Sequence, residues 1–109
     1  MAFEIIIAPE AHEDFKRFDR AVRATVKKAI ETHLRNEPTK TSKSRIKRLQ
    51  GLRRPEFRLR VDDTRVFYDV NDEEERVEVL RILPKARALA YLAEEGLPDE
   101  NTTTDKGEG

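Results

Sequence analysis

Three arginines recur at spacings that would bring them to one side of a β-hairpin. They are Arg58, Arg60 and Arg65 in the stretch Glu56-Phe-Arg-Leu-Arg-Val-Asp-Asp-Thr-Arg-Val-Phe-Tyr68. Apolar and charged residues alternate there with the period of a half-buried strand. If Asp62-Asp63 is a two-residue turn, counting outward sets Val61 against Thr64, Arg60 against Arg65, Leu59 against Val66, Arg58 against Phe67 and Phe57 against Tyr68. One face then carries Phe57, Leu59, Val61, Val66 and Tyr68, and the other carries three guanidiniums beside Phe67. Directly opposed like charges destabilise a sheet by about a few tenths of a kcal/mol or more. An anion such as phosphate would relieve that, and arginine meets it with forked, charge-assisted bonds. The same pattern also fits a solvated face of a half-buried sheet, with its arginines neutralised by carboxylates from elsewhere.

Charge along the chain is uneven. The total is zero, 22 Lys and Arg against 22 Asp and Glu. Between Arg35 and Arg60 stand ten basic residues against Glu37 and Glu56, a net of plus eight. Asp69–Glu78 and Glu94–Gly109 each carry minus five. A basic centre on a strand-rich segment is the electrostatic footprint of an anionic partner such as nucleic acid. Arg45, Lys47, Arg48, Arg53 and Arg54 are accordingly candidates for binding it, together with Arg87 further on.

The elements that must position these residues can be read in order. Phe3–Ala8 is short, apolar and bounded by Pro9, which predicts a buried strand. Ala11, Phe15 and Phe18 form one stripe of a helix, and Asp19 caps a second helix in which Val22, Val26, Ala29, Ile30 and Leu34 repeat. Pro38 ends it. Residues 39–43 are a polar loop, 45–49 a short strand, and Gln50-Gly51 a turn. After the hairpin, residues 71–75 make an acidic turn and 77–83 a further strand ended by Pro84. Lys85–Glu95 is a short helix with Leu89 and Leu92 expected to face inward. The prediction is an α+β fold: an N-terminal strand, a two-helix hairpin, a three- to four-stranded antiparallel sheet and a short C-terminal helix. Residues 1–95 form a single domain, and 96–109 an acidic tail expected to be disordered.

Composition excludes several classes. The 109 residues contain no cysteine, which removes disulfide scaffolds, thiolate metal sites and thiol nucleophiles. No metal ligand set or cofactor site is expected. No run of about 18 apolar residues could span a bilayer. Met1-Ala-Phe-Glu lacks a secretory signature, so a cytoplasmic location is expected. His12 and His33 fall in the helices and are poor acid–base candidates.

The hairpin Arg58-Leu-Arg-Val-Asp-Asp-Thr-Arg-Val-Phe-Tyr68 resembles the RelE/ParE toxin family. The ending Val79-Leu-Arg-Ile-Leu-Pro-Lys-Ala-Arg-Ala-Leu-Ala-Tyr91 does so too, as does Leu49-Gln-Gly-Leu52 behind a two-helix hairpin. The resemblance runs in order over residues 3–95. It implies the toxin of a type II toxin–antitoxin pair, and its RelE-like branch implies an endoribonuclease that cuts mRNA on the ribosome without a metal. In that branch the RNA 2′-hydroxyl attacks the adjacent phosphate. Carried over by position, Arg58 and Arg60 would hold and neutralise the scissile phosphate, and Arg65 would clamp it. Lys85, or Arg87 nearby, would be the general acid, and Tyr91 would orient or stack on the substrate. A guanidinium is a poor base, so the proton of the 2′-hydroxyl would pass to Tyr91, a carboxylate such as Glu56, or a ribosomal group. The resemblance also implies a small cognate antitoxin, through which alone the toxin would meet DNA. The ParE branch implies a different outcome, inhibition of DNA gyrase without nuclease chemistry. An inactive RNA-binding module is a third.

Overall fold

In a computed structural model, which describes residues 2–99, the chain begins with strand β1 (Glu4–Ile7) and turns at Pro9 into helix α1 (Pro9–Lys16). Proline at the first helical position loses no hydrogen bond, because that N–H has no intrahelical partner anyway. Helix α2 (Arg20–Ala29) starts at Asp19, whose carboxylate accepts the Val22 N–H at 2.9 Å. It runs on as a single π-helical turn, Ile30–Leu34, and the chain then turns at buried Pro38. The rest is strand-rich: β2 (Ile46–Arg48), β3 (Leu52–Arg54), β4 (Phe57–Val61), β5 (Thr64–Asn71) and β6 (Arg76–Pro84). Helix α3 (Lys85–Glu95) and the two-residue strand β7 (Leu97–Pro98) follow.

Five strands make one sheet in the order β1-β6-β5-β4-β2, antiparallel throughout except for the parallel β1–β6 pair. The α+β prediction holds, and so does the hairpin register. Arg58 lies opposite Phe67, Arg60 opposite Arg65 and Phe57 opposite Tyr68. Asp62, the first turn residue, adopts φ 52°, a left-handed conformation that Asp tolerates better than most residues. Period-2 alternation then sends Phe57, Leu59, Val61, Val66 and Tyr68 into the main core with Val26, Ile30 and Leu34 of the helical hairpin. Tyr68 stacks on Phe57 at 5.5 Å, and its hydroxyl donates to the Pro38 carbonyl at 2.6 Å, tying the sheet to the end of the hairpin.

Three expectations need correction. β1 is an edge strand, and Ile6 and Ile7 are 37% and 38% exposed. An apolar run alone does not distinguish a central strand from one paired on a single side. In α3, Leu89 points to solvent at 83% exposure, while Ala88, Tyr91 and Leu92 pack inward. The buried stripe is therefore displaced around the helix from the one expected. Leu97–Pro98, assigned by sequence to the acidic tail, pairs with β3 as a two-stranded ribbon, and the Asp99 N–H bonds the Gly51 carbonyl at 2.9 Å. The expectation of disorder for residues 100–109 lies outside the described residues.

Candidate nucleic-acid interface

The face of the sheet turned away from the main core carries two rows of side chains across the strands. Register places Lys47, Arg58, Phe67 and Arg81 in one row and Arg60, Arg65 and Leu83 in the next. Helix α3 covers the β5–β6 half of this face, packing Ala88, Tyr91 and Leu92 against Phe67 and Leu83. Among the described residues nothing covers the half built by β2 and β4, with Lys47 and Arg60 exposed and Arg58 half-buried.

Arg58 is the centre of this surface. Its Nε is buried and finds no hydrogen-bond partner among the described residues. Burial, and behind it the neighbouring Arg65 and Arg60 guanidiniums, lowers its pKa from the ordinary value. It nonetheless stays charged at neutral pH, because a guanidinium starts above about 12. Among the described residues no carboxylate pairs with Arg58, Arg60, Arg65 or Lys47. That disfavours the alternative of a face neutralised from within. Arg65 is only 7% exposed, and its Nη1 donates to the Asp62 and Thr64 carbonyls at 2.8 and 3.1 Å. It is thus fixed by the hairpin turn, with its charge held beside Arg58.

The other sequence candidates fall elsewhere. Lys85 is exposed at the start of α3, where its N–H bonds the Asp63 carbonyl at 2.7 Å, so it sits at the hairpin-turn end of the face. Tyr91 is buried against Phe67 at 5.0 Å between ring centroids, and Phe67 is the β5 neighbour of Arg58. Burial first, then Glu95, pushes its hydroxyl up to about 12. Tyr91 is therefore no proton acceptor at neutral pH. Glu56 is also engaged, its Oε1 accepting the Val70 N–H at 2.8 Å. Arg54 is tied to Asp69 and Glu78 at 3.4 and 3.3 Å. Arg48 donates to the Glu56 carbonyl at 2.8 Å and lies over the Phe57 ring. Arg53 is exposed on the β3–β7 ribbon, and Arg87 lines a separate groove with Asp14 and Arg17. Arg45 is exposed just before β2.

Sequence reasoning missed Asp14 and Arg81. Asp14 is 5% exposed and bonds Arg81 twice, at 2.6 and 3.0 Å, and the Ile82 N–H at 3.0 Å. β1 ends before it reaches this part of β6, so Asp14 supplies the acceptor that a longer neighbouring strand would have provided. Arg81 then lies over the Tyr91 ring at 5.4 Å and reaches Glu95 at 3.5 Å, linking α1 to α3 through β6. The available signal was Asp14 standing in the apolar stripe of α1, three residues after Ala11.

Asp69 offers a check on the local electrostatics. Burial, followed by the Glu56 charge, raises its pKa, although the Glu56 N–H and Arg54 act the other way. A raised folded pKa means that the stability it brings is fully present below the unfolded value, about 3.9, and is lost as pH rises through the folded value. Asp69→Asn keeps an acceptor for the Glu56 N–H without that loss. The variant's urea midpoint is therefore expected to improve relative to the parent as pH rises from below about 3.9 towards neutrality. A shift in the parent's favour over that interval would contradict this charge balance.

Residues 5–89 match a family model described as the ParE toxin of the type II toxin–antitoxin system parDE. The chain belongs to this toxin family. Its fold is similar to solved toxin–antitoxin structures of the RelE group. A chain of the archaeal RelE–RelB complex from Pyrococcus horikoshii superposes with a TM-score of 0.66 at 23% identity, covering 80% of this toxin and 99% of that chain. The RelBE2 toxin–antitoxin complex of Mycobacterium tuberculosis gives 0.62 at 23% identity, covering 77% and 99%. The YoeB dimer from Staphylococcus aureus gives 0.57 at 18%, covering 76% and 97%. Among curated protein sequences no match was found. The resemblance read from the hairpin and the C-terminal segment is thus borne out at the level of family and fold.

Proposed function

We propose that this toxin cleaves mRNA in the ribosome, using the arginine face to bind and neutralise the scissile phosphate. The observation that supports this most is Arg58, a half-buried cation beside two further guanidiniums, with neither an Nε partner nor an offsetting carboxylate among the described residues. Folding alone does not favour such an arrangement, whereas a phosphate does. As the 2′-oxygen bonds to phosphorus, charge grows on the non-bridging oxygens. Arg58 and Arg60 would meet it, with Arg65 held in place by its carbonyl bonds. The 5′-oxygen then leaves and takes a proton from Lys85. Neither Tyr91, with its raised pKa, nor the engaged Glu56 is suited to accept the 2′-hydroxyl proton. An outside base would make cleavage depend on the ribosome. Tyr91, packed on Phe67, would hold α3 beside the substrate rather than move a proton.

In this reading Lys47 and Arg45 extend the RNA contact, and no cofactor is required. The partner that restrains the toxin in the cytoplasm is a small acidic antitoxin covering the basic face. Several of the solved structures that share this fold are toxin–antitoxin complexes, which supports an antitoxin partner. Contact with DNA would come only through that antitoxin.

A second reading, inhibition of DNA gyrase by binding, is favoured by the parDE description of the matching family model. Pulse labelling after expression of the toxin alone separates the two. Ribonuclease action is expected to stop amino-acid incorporation first, with thymidine incorporation falling later. The reverse order would favour gyrase.

A further inference from the structure

A groove of about 440 Å³ opens at the hairpin-turn end of the sheet, beside α2. It exists because β2 begins only at Ile46 while β4 runs on to Val61. The last β4 residues therefore lack a full strand neighbour, and only the backbone bond from the Arg60 N–H to the Arg45 carbonyl, 2.8 Å, bridges the gap. The chain before β2 bends away and leaves a slot lined by Thr25, Ser44, Arg45, Arg60, Val61 and Asp62. Arg45 and Arg60 are both exposed, and neither meets a carboxylate among the described residues.

We propose that this groove is a second phosphate subsite, holding the RNA strand beyond the scissile phosphate between Arg45 and Arg60. It rests on the ribonuclease reading above. Arg60 belongs to both places, at the open edge of β4: its charge acts on Arg58 in the central cluster, and the residue lines the groove. One strand could thus pass continuously from Arg58 to Arg45. Arg58 and Arg60 stand about 6.8 Å apart along β4, so an RNA strand held by its scissile phosphate at these two residues presents its next phosphate to Arg45, which lies across from Arg60. Ser44 is a further polar residue in the wall, whereas the Thr25 hydroxyl donates to the Ala21 carbonyl at 3.1 Å. Asp62 is the opposing charge in the groove, and it limits how tightly a phosphate is held.

The test compares a 2′-O-methyl dinucleotide with a 2′-O-methyl hexanucleotide, neither of which can be cut by 2′-attack. Arg45→Ala is expected to weaken hexanucleotide binding about fivefold at low salt, the upper range for one exposed charge pair. It should also lower the slope of log affinity against log salt by about 0.7, and leave dinucleotide binding unchanged. Lys16→Ala, an exposed charge at the end of α1, should change neither. Asp62→Asn suits the left-handed backbone at that position and should tighten the hexanucleotide alone. An unchanged hexanucleotide affinity in Arg45→Ala overturns the subsite, as does equal weakening of both oligonucleotides. So does Asp62→Asn without tightening. If the parent protein binds neither oligonucleotide, the RNA reading itself fails, which is a separate result from loss of the length dependence.

Discussion

Arg58→Met is expected to lose on the order of a hundredfold in cleavage rate while becoming no less stable than the parent. The two effects point in opposite directions for one reason. In the free protein Arg58 faces Arg60 and Arg65, and its buried Nε has no acceptor among the described residues. Methionine keeps the unbranched stem that packs at this position but removes both penalties. A gain of about 0.5 kcal/mol is the expected scale for relieving opposed like charges in a sheet. The same cation is what a developing phosphate charge needs, held in advance so that nothing has to reorganise during reaction. Activity lost with stability kept or raised marks a side chain retained for function. Denaturant midpoints measured alongside toxicity on expression check both halves. A variant that is inactive because it unfolds would contradict this account, and so would one that is as toxic as the parent.

Asp14→Ala carries the largest expected effect on folding. Removing the carboxylate leaves the Arg81 guanidinium and the Ile82 N–H without their buried acceptor, since Asp14 meets both. Breaking such a pair from one side typically costs about 3–5 kcal/mol, a large part of the roughly 5–15 kcal/mol that holds a domain together. Arg81 keeps Glu95 at 3.5 Å, on an exposed side chain, and that contact offsets little of the loss. Replacing both partners, with Asp14→Leu and Arg81→Met, removes the uncompensated charge and is expected to recover part of the stability. Urea unfolding of the two single variants and the double variant gives the coupling directly. Additive effects of the two substitutions would show that the pair does not act as a unit. Because Arg81 also lies over Tyr91, the single Asp14→Ala change should loosen α3 as well. Faster amide exchange in residues 85–95 than in β4 and β5 would record it.

The hairpin was the most legible part of the chain because two independent constraints agree there. Alternation fixes which side chains face the core, and a two-residue turn fixes the register, so the pairing of Arg58 with Phe67 followed by counting. The Asp19 cap and the helical period of Val22, Val26, Ile30 and Leu34 were readable for the same reason, each being local. What was not readable depends on partners distant in sequence. Whether Ile6 and Ile7 are covered depends on which strand flanks β1, and only β6 does. Leu89 and Leu92 suggest one stripe on α3, yet Ala88, Tyr91 and Leu92 are spaced equally well for another. The position of Phe67 and Leu83 decides between them. Asp14 stands in the apolar stripe of α1, but its partners depend on β1 ending early and leaving the Ile82 N–H open. β7 was hidden because two residues carry no periodicity. At the candidate site, sequence placed Arg58, Arg60 and Arg65 on one face, and the structure added their electrostatic isolation. It also showed that Arg54 is occupied by Asp69 and Glu78 and that Tyr91 is enclosed, neither of which a basic residue count can reveal.

The proposed role of these guanidiniums is to act on an RNA phosphate. Mapping mRNA ends in a reconstituted translation reaction, with and without ribosomes, tests it most directly. Cuts within codons that require ribosomes are expected with the parent protein and should disappear with Arg58→Met. Intact mRNA under the same conditions, with the parent protein inhibiting DNA supercoiling by gyrase, would contradict it.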